Sequence, residues 1–155
     1  MPYDARQIAN WFITRAQQDG QTVSIMELLK LTYIAHGWHL ETQKAPLFSN
    51  KIEAWQYGPV IPDVYNSFRR QGVSVQTPLE GFGDELEPDT TSLLDQVWKI
   101  YGHLSAFRLS DITHVRGGPW DLAYRLGGRF SIIPDDIIRD HYVQIRQKAQ
   151  AATND

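Results

Sequence analysis

The stretch Ser24–Leu40, SIMELLKLTYIAHGWHL, organises the predicted fold of this chain. It opens with a capping box, in which the Ser24 hydroxyl accepts from the amide of Glu27 and the glutamate side chain accepts from the amide of Ser24. Apolar or core-compatible residues follow on two stripes of the helix surface, comprising Ile25, Leu28, Leu29, Leu31, Thr32, Ile34, Ala35, His36 and Trp38. A helix that is apolar over much of its circumference is usually buried among other elements. The pattern therefore predicts a central helix over about residues 24–40.

Capping and stop signals predict further helices on both sides of this central helix. Asp4 can cap a helix over Asp4–Gln18, and Pro62 suits the first turn of another that ends near Gly72. The remaining signals predict a helix capped by Thr90 or Thr91 that ends around 102–104, a turn over Ser110–His114 capped by Ser110, a helix over Trp120–Leu126 opened by Pro119, and a helix from Pro134. Most of the chain is therefore expected to be helical.

Two short apolar runs, Leu47–Phe48 and Ile52–Trp55, favour β-strands. They flank Ser49-Asn50-Lys51, whose composition suits a turn, so a small hairpin is predicted over about residues 47–56. A further extended segment is expected over residues 130–133.

These elements together predict a mainly α fold. It is a compact single-domain helical bundle around the central helix, with the small β hairpin as its minor part. The length of 155 residues suits one domain. Residues 1–150 are assigned to that domain, and residues 151–155 to a tail that is expected to fray.

Composition argues against several classes of protein. The chain contains no cysteine, which excludes disulfide frameworks and thiolate metal sites. No run reaches the roughly 18 apolar residues of a membrane span, and residues 1–6 do not resemble a secretory signal. A formal net charge of -3 argues against nucleic-acid binding, because phosphate neutralisation dominates such binding. We therefore expect a cytoplasmic protein without membrane contact.

Acidic residues concentrate between Leu79 and Gln96. This stretch contains no lysine or arginine and six acidic residues, namely Glu80, Asp84, Glu85, Glu87, Asp89 and Asp95. A solvated loop is the favoured interpretation of such a run. The alternative is a surface that attracts a basic partner.

Two pairs of polar residues have the spacing of metal or catalytic sites. His36 and His39 could share a metal ion, but a metal site needs three or four ligands, so a hydrogen-bonded core His36 and a partly exposed His39 are favoured. Asp111 and His114 lie one helical turn apart and can pair, yet no activated nucleophile accompanies them. A hydrolase built on these four residues is the weakest alternative. We predict no enzymatic activity, no catalytic residue, no metal and no cofactor.

Two aromatic turns have the composition of a recognition surface. The first lies in the segment Ile52–Tyr65, which we expect to join the hairpin to the helix at Pro62 and to expose part of its aromatic turn. The second, Gly117–Trp120, places a tryptophan at the start of a short helix, where it fits either a core anchor or an interface contact.

Four stretches together resemble the Panacea antitoxin domain, a SocA-like family also described as phage-associated. They are Tyr3–Phe12, Leu28–Trp38, Glu53–Val60, and Leu109–His114 continued through Pro119-Trp120. One departure is the segment Val115-Arg116-Gly117-Gly118, where the family pattern usually has an acidic residue.

The resemblance implies an antitoxin of prokaryotic or prophage origin that neutralises a nearby-encoded protein toxin by direct binding. It implies no catalysis and no cofactor, and it leaves the toxin unidentified. An adaptor that delivers a partner to a protease, with protease or chaperone contacts, is an alternative function. The candidate partner-binding residues are Trp55, Tyr57, Gly58, Pro59, Val60, Thr113, His114, Pro119 and Trp120.

Overall fold

The computed structural model describes residues 2–154 and contains, within that part of the chain, seven α-helices and five short strands. In chain order they are α1 (Ala5–Gln18), β1 (Val23–Ser24), α2 (Ile25–Gln43), β2 (Glu53–Trp55), β3 (Gly58–Val60), α3 (Pro62–Phe68), β4 (Ser74–Val75), α4 (Pro88–Tyr101), α5 (Ala106–Thr113), α6 (Pro119–Gly127), β5 (Ser131–Ile132) and α7 (Asp135–Asn154). A 3₁₀ turn, Arg69–Gln71, extends α3 toward Gly72. The prediction of a mainly α, single-domain fold is confirmed.

Helix α2 is the centre of the molecule. Its capping box is formed as predicted, with 3.1 Å between the Glu27 amide and Ser24 Oγ and 2.9 Å between the Ser24 amide and Glu27 Oε1. Residues 28–37 are all buried, and helices α1, α3, α4, α5 and α7 pack around α2. Gly37 permits a close approach of α7, because a Cβ at this position would lie 2.2 Å from Cε2 of Tyr142. The helix extends three residues beyond its predicted end at Leu40.

The hairpin exists, but its predicted position was wrong. Strand β2 pairs antiparallel with β3, so the hairpin covers residues 53–60 rather than 47–56. Leu47 and Phe48 are instead buried beside the chain start, where Phe48 forms an isolated parallel bridge with Tyr3. The three-stranded sheet has the order β3-β2-β5, so β3 is an edge strand and Pro59 is tolerated there despite its missing amide.

Two helix starts also differ from their predictions. Helix α4 begins at Pro88 after the cap residue Glu87, ahead of the predicted caps Thr90 and Thr91, because a proline suits the first helical turn. Helix α5 is a full helix capped by Ser105, whose Oγ accepts from the Arg108 amide at 3.1 Å. The predicted cap Ser110 lies inside that helix. In each case another residue suited to a helix start, Pro88 or Ser105, lies a few positions upstream of the predicted cap.

The remaining helix and strand boundaries agree with the capping, proline and strand signals of the sequence. Asp4 caps α1, Pro119 opens α6, and residues 131–132 of the predicted extended segment form β5 against β2. Helix α7 includes residues 151–154 of the assigned tail, whose fraying stays a prediction, and Asp155 lies outside the described residues. No helix in the described range is sufficiently long and apolar to cross a membrane.

Candidate functional site

A buried lysine holds the hairpin onto the central helix. Lys30 lies on α2 with no exposed surface, and its Nζ donates to the carbonyl oxygens of Tyr57 at 3.3 Å and Pro59 at 3.1 Å. Because its surroundings disfavour the charged ammonium, burial lowers the pKa of Lys30 to about 7. This side chain therefore fixes the backbone of the hairpin at the point where the aromatic turn projects from the domain.

Gly58 is the residue that allows this arrangement. Its φ of 121° lies in a region that side-chain-bearing residues rarely adopt. A Cβ there would stand 2.6 Å from Nζ of Lys30 and 2.7 Å from Cε1 of His114. The missing side chain of Gly58 thus makes room for two ionisable groups, one on α2 and one on the residue that follows the end of α5.

The second aromatic turn packs against the same hairpin. The Nδ1 of His114 donates to the carbonyl oxygen of Ser110 at 2.7 Å, and its ring centroid lies 4.3 Å from that of Trp120. Burial lowers the pKa of His114. Trp120 in turn donates from its indole nitrogen to the carbonyl oxygen of Trp55 at 2.7 Å. Helices α5 and α6 are therefore tied to strand β2.

The nine residues predicted to bind a partner lie around one junction, where the hairpin meets α2, α5 and α6. They differ widely in solvent exposure. Five are buried, namely Gly58, Pro59, Val60, Thr113 and Pro119. Trp55, His114 and Trp120 are half-buried, whereas Tyr57 has 68% of its surface exposed. Binding by these residues stays a prediction, and only the last four have surface to offer a partner.

Two exposed apolar residues beside this junction are not among the predicted partner-binding residues. Phe130 is 56% exposed, its ring centroid lies 5.6 Å from that of Trp55, and its amide donates to the carbonyl oxygen of Ala54 at 2.8 Å. Ile132, 51% exposed, stands opposite Glu53 in the β2–β5 ladder. We name Trp55, Tyr57, Phe130 and Ile132 the hairpin face. The extended pattern over residues 130–133 was visible in the sequence, but its position next to the hairpin was not.

The backbone of Phe130 has an unusual conformation. Its φ of 66° is left-handed, a conformation that is uncommon for bulky aromatic residues and costs free energy. Such strain persists where the surrounding structure imposes it and is frequent at binding sites. Here it presents an aromatic ring to solvent beside Trp55.

The residues considered for a hydrolase do not form one cluster. His36 contacts Asp135 of α7, with 2.8 Å between Nε2 and Oδ1, while Nδ1 of His39 donates to the carbonyl oxygen of Ala45 at 2.6 Å. His114 directs Nδ1 to Ser110 rather than to the exposed Asp111. Among residues 2–154, no group of three or more His, Asp or Glu side chains is placed to hold a metal ion.

Comparison with known proteins gave two findings. The family model described as "Antitoxin SocA-like, Panacea domain" matches residues 28–121. The chain is also 32% identical over 154 residues to Antitoxin SocA of Caulobacter vibrioides (strain NA1000 / CB15N), an alignment that covers 90% of this chain and 82% of that protein. No solved structure gave a significant match.

Proposed function

This chain belongs to the SocA-like antitoxin family defined by the Panacea domain, and we propose that it neutralises a cognate protein toxin by direct binding. Family membership supports the antitoxin role. The proposal extends this to a toxin encoded nearby and to a cytoplasmic complex. Neutralisation would result from covering a surface that the toxin needs for its activity.

The observation that carries the binding proposal is the hairpin face. Its tryptophan and tyrosine belong to residue types that are enriched at the energetic centres of interfaces. Lys30 anchors the hairpin backbone, and the indole of Trp120 holds strand β2. An aromatic surface on such a fixed support loses little conformational entropy when it binds. A standard interface needs roughly 800 Å² from each partner, a small part of the 8620 Å² surface of this chain.

Co-expression with the product of the adjacent gene tests the proposal. The protein should restore growth, whereas the double variant Tyr57→Ala/Ile132→Ala should fold and fail to do so, because it removes two exposed apolar contacts. Val73→Ala is the matched control, since Val73 is 81% exposed and lies outside the hairpin face. Circular dichroism would verify that all variants are folded.

Two results would contradict the proposal. If the neighbouring product is harmless by itself, or stays toxic in the presence of the wild-type protein, the two do not form a toxin–antitoxin pair. If the double variant neutralises as well as the wild type, the hairpin face is not the contact surface.

A further inference from the structure

A groove of about 480 Å³ lies between α1 and the loop that precedes α4. Its apolar lining includes Trp11 of α1 together with Leu79, Phe82 and Leu86 of the loop. The carboxylate-bearing residues Asp84 and Glu85 line the same groove. The acidic stretch of the sequence therefore forms one wall of a concave apolar surface.

This wall is held in place by a buried amide. Asn10 is 6% exposed, and its Nδ2 donates to the carbonyl oxygens of Leu79 at 3.0 Å and Phe82 at 3.1 Å. The amide of Leu79 donates back to Asn10 Oδ1 at 2.8 Å. The Arg6 guanidinium carbon lies 4.4 Å from the ring centroid of Phe82. The groove is thus preformed in the free protein, which lowers the entropic cost of filling it.

The charge at the rim is negative and uncompensated. Glu80, Asp84, Glu85 and Glu87 are exposed, and none of them forms an ion pair within residues 2–154. The neighbouring cations are already used, because Arg6 pairs with Asp4 and Arg15 pairs with Asp95. Asp84 and Glu85 line the groove, and Glu80 and Glu87 are next to lining residues in the sequence. Free carboxylates beside an apolar floor complement a ligand that combines positive charges with an apolar side chain.

We infer that this groove receives a basic segment of the toxin, with an apolar side chain seated against Trp11 and Phe82. The inference rests on the proposed function, and it adds a second contact surface to the hairpin face. The carboxylates would attract the toxin and set its orientation, while the apolar floor would supply the contact area. Neutralisation by this surface therefore weakens as salt screens the rim.

A defined peptide tests the chemistry of the groove. The probe is a dye-labelled octapeptide with three Lys or Arg residues on each side of a Leu-Trp pair, and fluorescence anisotropy measures its binding. Binding should weaken with added salt, and replacing Leu-Trp by Ser-Ser should reduce it. The variant Glu80→Gln/Asp84→Asn/Glu85→Gln/Glu87→Gln should bind about tenfold more weakly, since each exposed charge pair contributes a few tenths of a kcal/mol.

Exposed acids on α7 provide the control. Asp136→Asn/Asp140→Asn removes two exposed carboxylates from α7 and should leave peptide binding unchanged. Equal binding of a peptide with Glu in place of every Lys and Arg would overturn the inference. An unchanged affinity of the four-carboxylate variant would overturn it as well.

Co-expression decides whether the toxin is the occupant. The four-carboxylate variant should neutralise the toxin less well than the wild type, and Asp136→Asn/Asp140→Asn should match the wild type. Full neutralisation by the four-carboxylate variant would overturn the groove as a toxin site and leave the proposed function intact. If the wild type fails to neutralise the toxin, the proposed function is overturned. The toxin is then also overturned as the ligand of the groove, even if the peptide binds there.

Discussion

Lys30 and Gly58 show how one position can constrain another far along the chain. The lysine amine needs acceptors because burial leaves it without water, and the hairpin carbonyl oxygens supply them. These carbonyls come within reach because Gly58 has no side chain. The pair therefore links the central helix to the aromatic turn by backbone geometry rather than by an ion pair.

The variant Gly58→Ala should lower the free energy of unfolding by about 2–6 kcal/mol. The new Cβ would occupy the space of Lys30 Nζ and take up a strained φ, and each effect typically costs about 1–3 kcal/mol. Gly20→Ala is the control, because Gly20 also has a positive φ, of 71°, but open space around it. Chemical denaturation measures both, and equal losses would show that crowding at Lys30 contributes nothing.

The free energy of unfolding should rise between pH 7 and pH 10 because of Lys30. Burial lowers the pKa of its amine to about 7 in the folded protein, against about 10.4 in an unfolded chain. Within this window the unfolded chain binds the extra proton, so rising pH favours the folded state. Below pH 7 both states are protonated, and the contribution is constant.

Urea denaturation of the wild type and of Lys30→Met across this range isolates the effect. The difference in free energy of unfolding between them should change by a few kcal/mol, at about 1.36 kcal/mol for each unit of pKa. Lys99→Met, at an exposed lysine of α4, should keep the wild-type slope. If the free energy of unfolding depends on pH in the same way in Lys30→Met and in the wild type, the buried amine does not titrate in this window.

The loop before α4 illustrates how an element without regular structure is ordered. Its composition predicts a solvated segment, and its carboxylates are indeed exposed. Its backbone, however, is bound to Asn10 by three hydrogen bonds. One buried side chain on α1 thus gives the loop a defined shape and makes a groove beneath it.

Asn10→Ala should release this loop. Removing the side-chain amide leaves one donor and two acceptors of the loop backbone without their partner, which costs about 1–3 kcal/mol for a buried group. Hydrogen exchange at the amide of Leu79 should accelerate strongly. Thr14→Ala is the control, because Thr14 is exposed and lines the same groove. Unaltered exchange at Leu79 in Asn10→Ala would show that other contacts hold the loop.

The molecule as a whole is organised around α2. Five other helices pack on it, and Lys30 and His36 extend its polar contacts to the hairpin and to the start of α7. Because most elements share this one helix, few of them have an independent core. Such sharing is the physical basis of cooperative unfolding in single domains.

Thermal unfolding should therefore occur in one transition. Helical circular dichroism and tryptophan fluorescence should give the same midpoint, because the five tryptophans are distributed over α1, α2, β2, α4 and α6. An earlier loss of helical signal would indicate that α7 or another peripheral helix unfolds separately. The control is a repeat at a second protein concentration, which should leave the midpoint unchanged for a monomeric unit.

Local chemistry was sufficient to predict most of the helix starts, although those of α4 and α5 were misplaced. The capping box at Ser24, the cap at Asp4 and the prolines at residues 62 and 119 act within one helical turn, so their effects are visible in a short window of sequence. The buried stripe of α2 is visible for a similar reason, because helical periodicity links near neighbours. The family resemblance likewise depended on short motifs and is confirmed by comparison.

Local sequence signals did not predict which distant segments of the chain pair. Leu47 and Phe48 have the composition of a strand, but burial beside Tyr3 takes them out of the hairpin, and β3 with its proline takes their place. Phe130 reaches Trp55 only because β5 returns to β2, and Leu79 meets Asn10 across 69 positions of chain. Such contacts depend on how helices pack in three dimensions, and packing free energy is a property of the whole core. Residue identity thus established the helices and the family, whereas tertiary packing established the hairpin face and the groove.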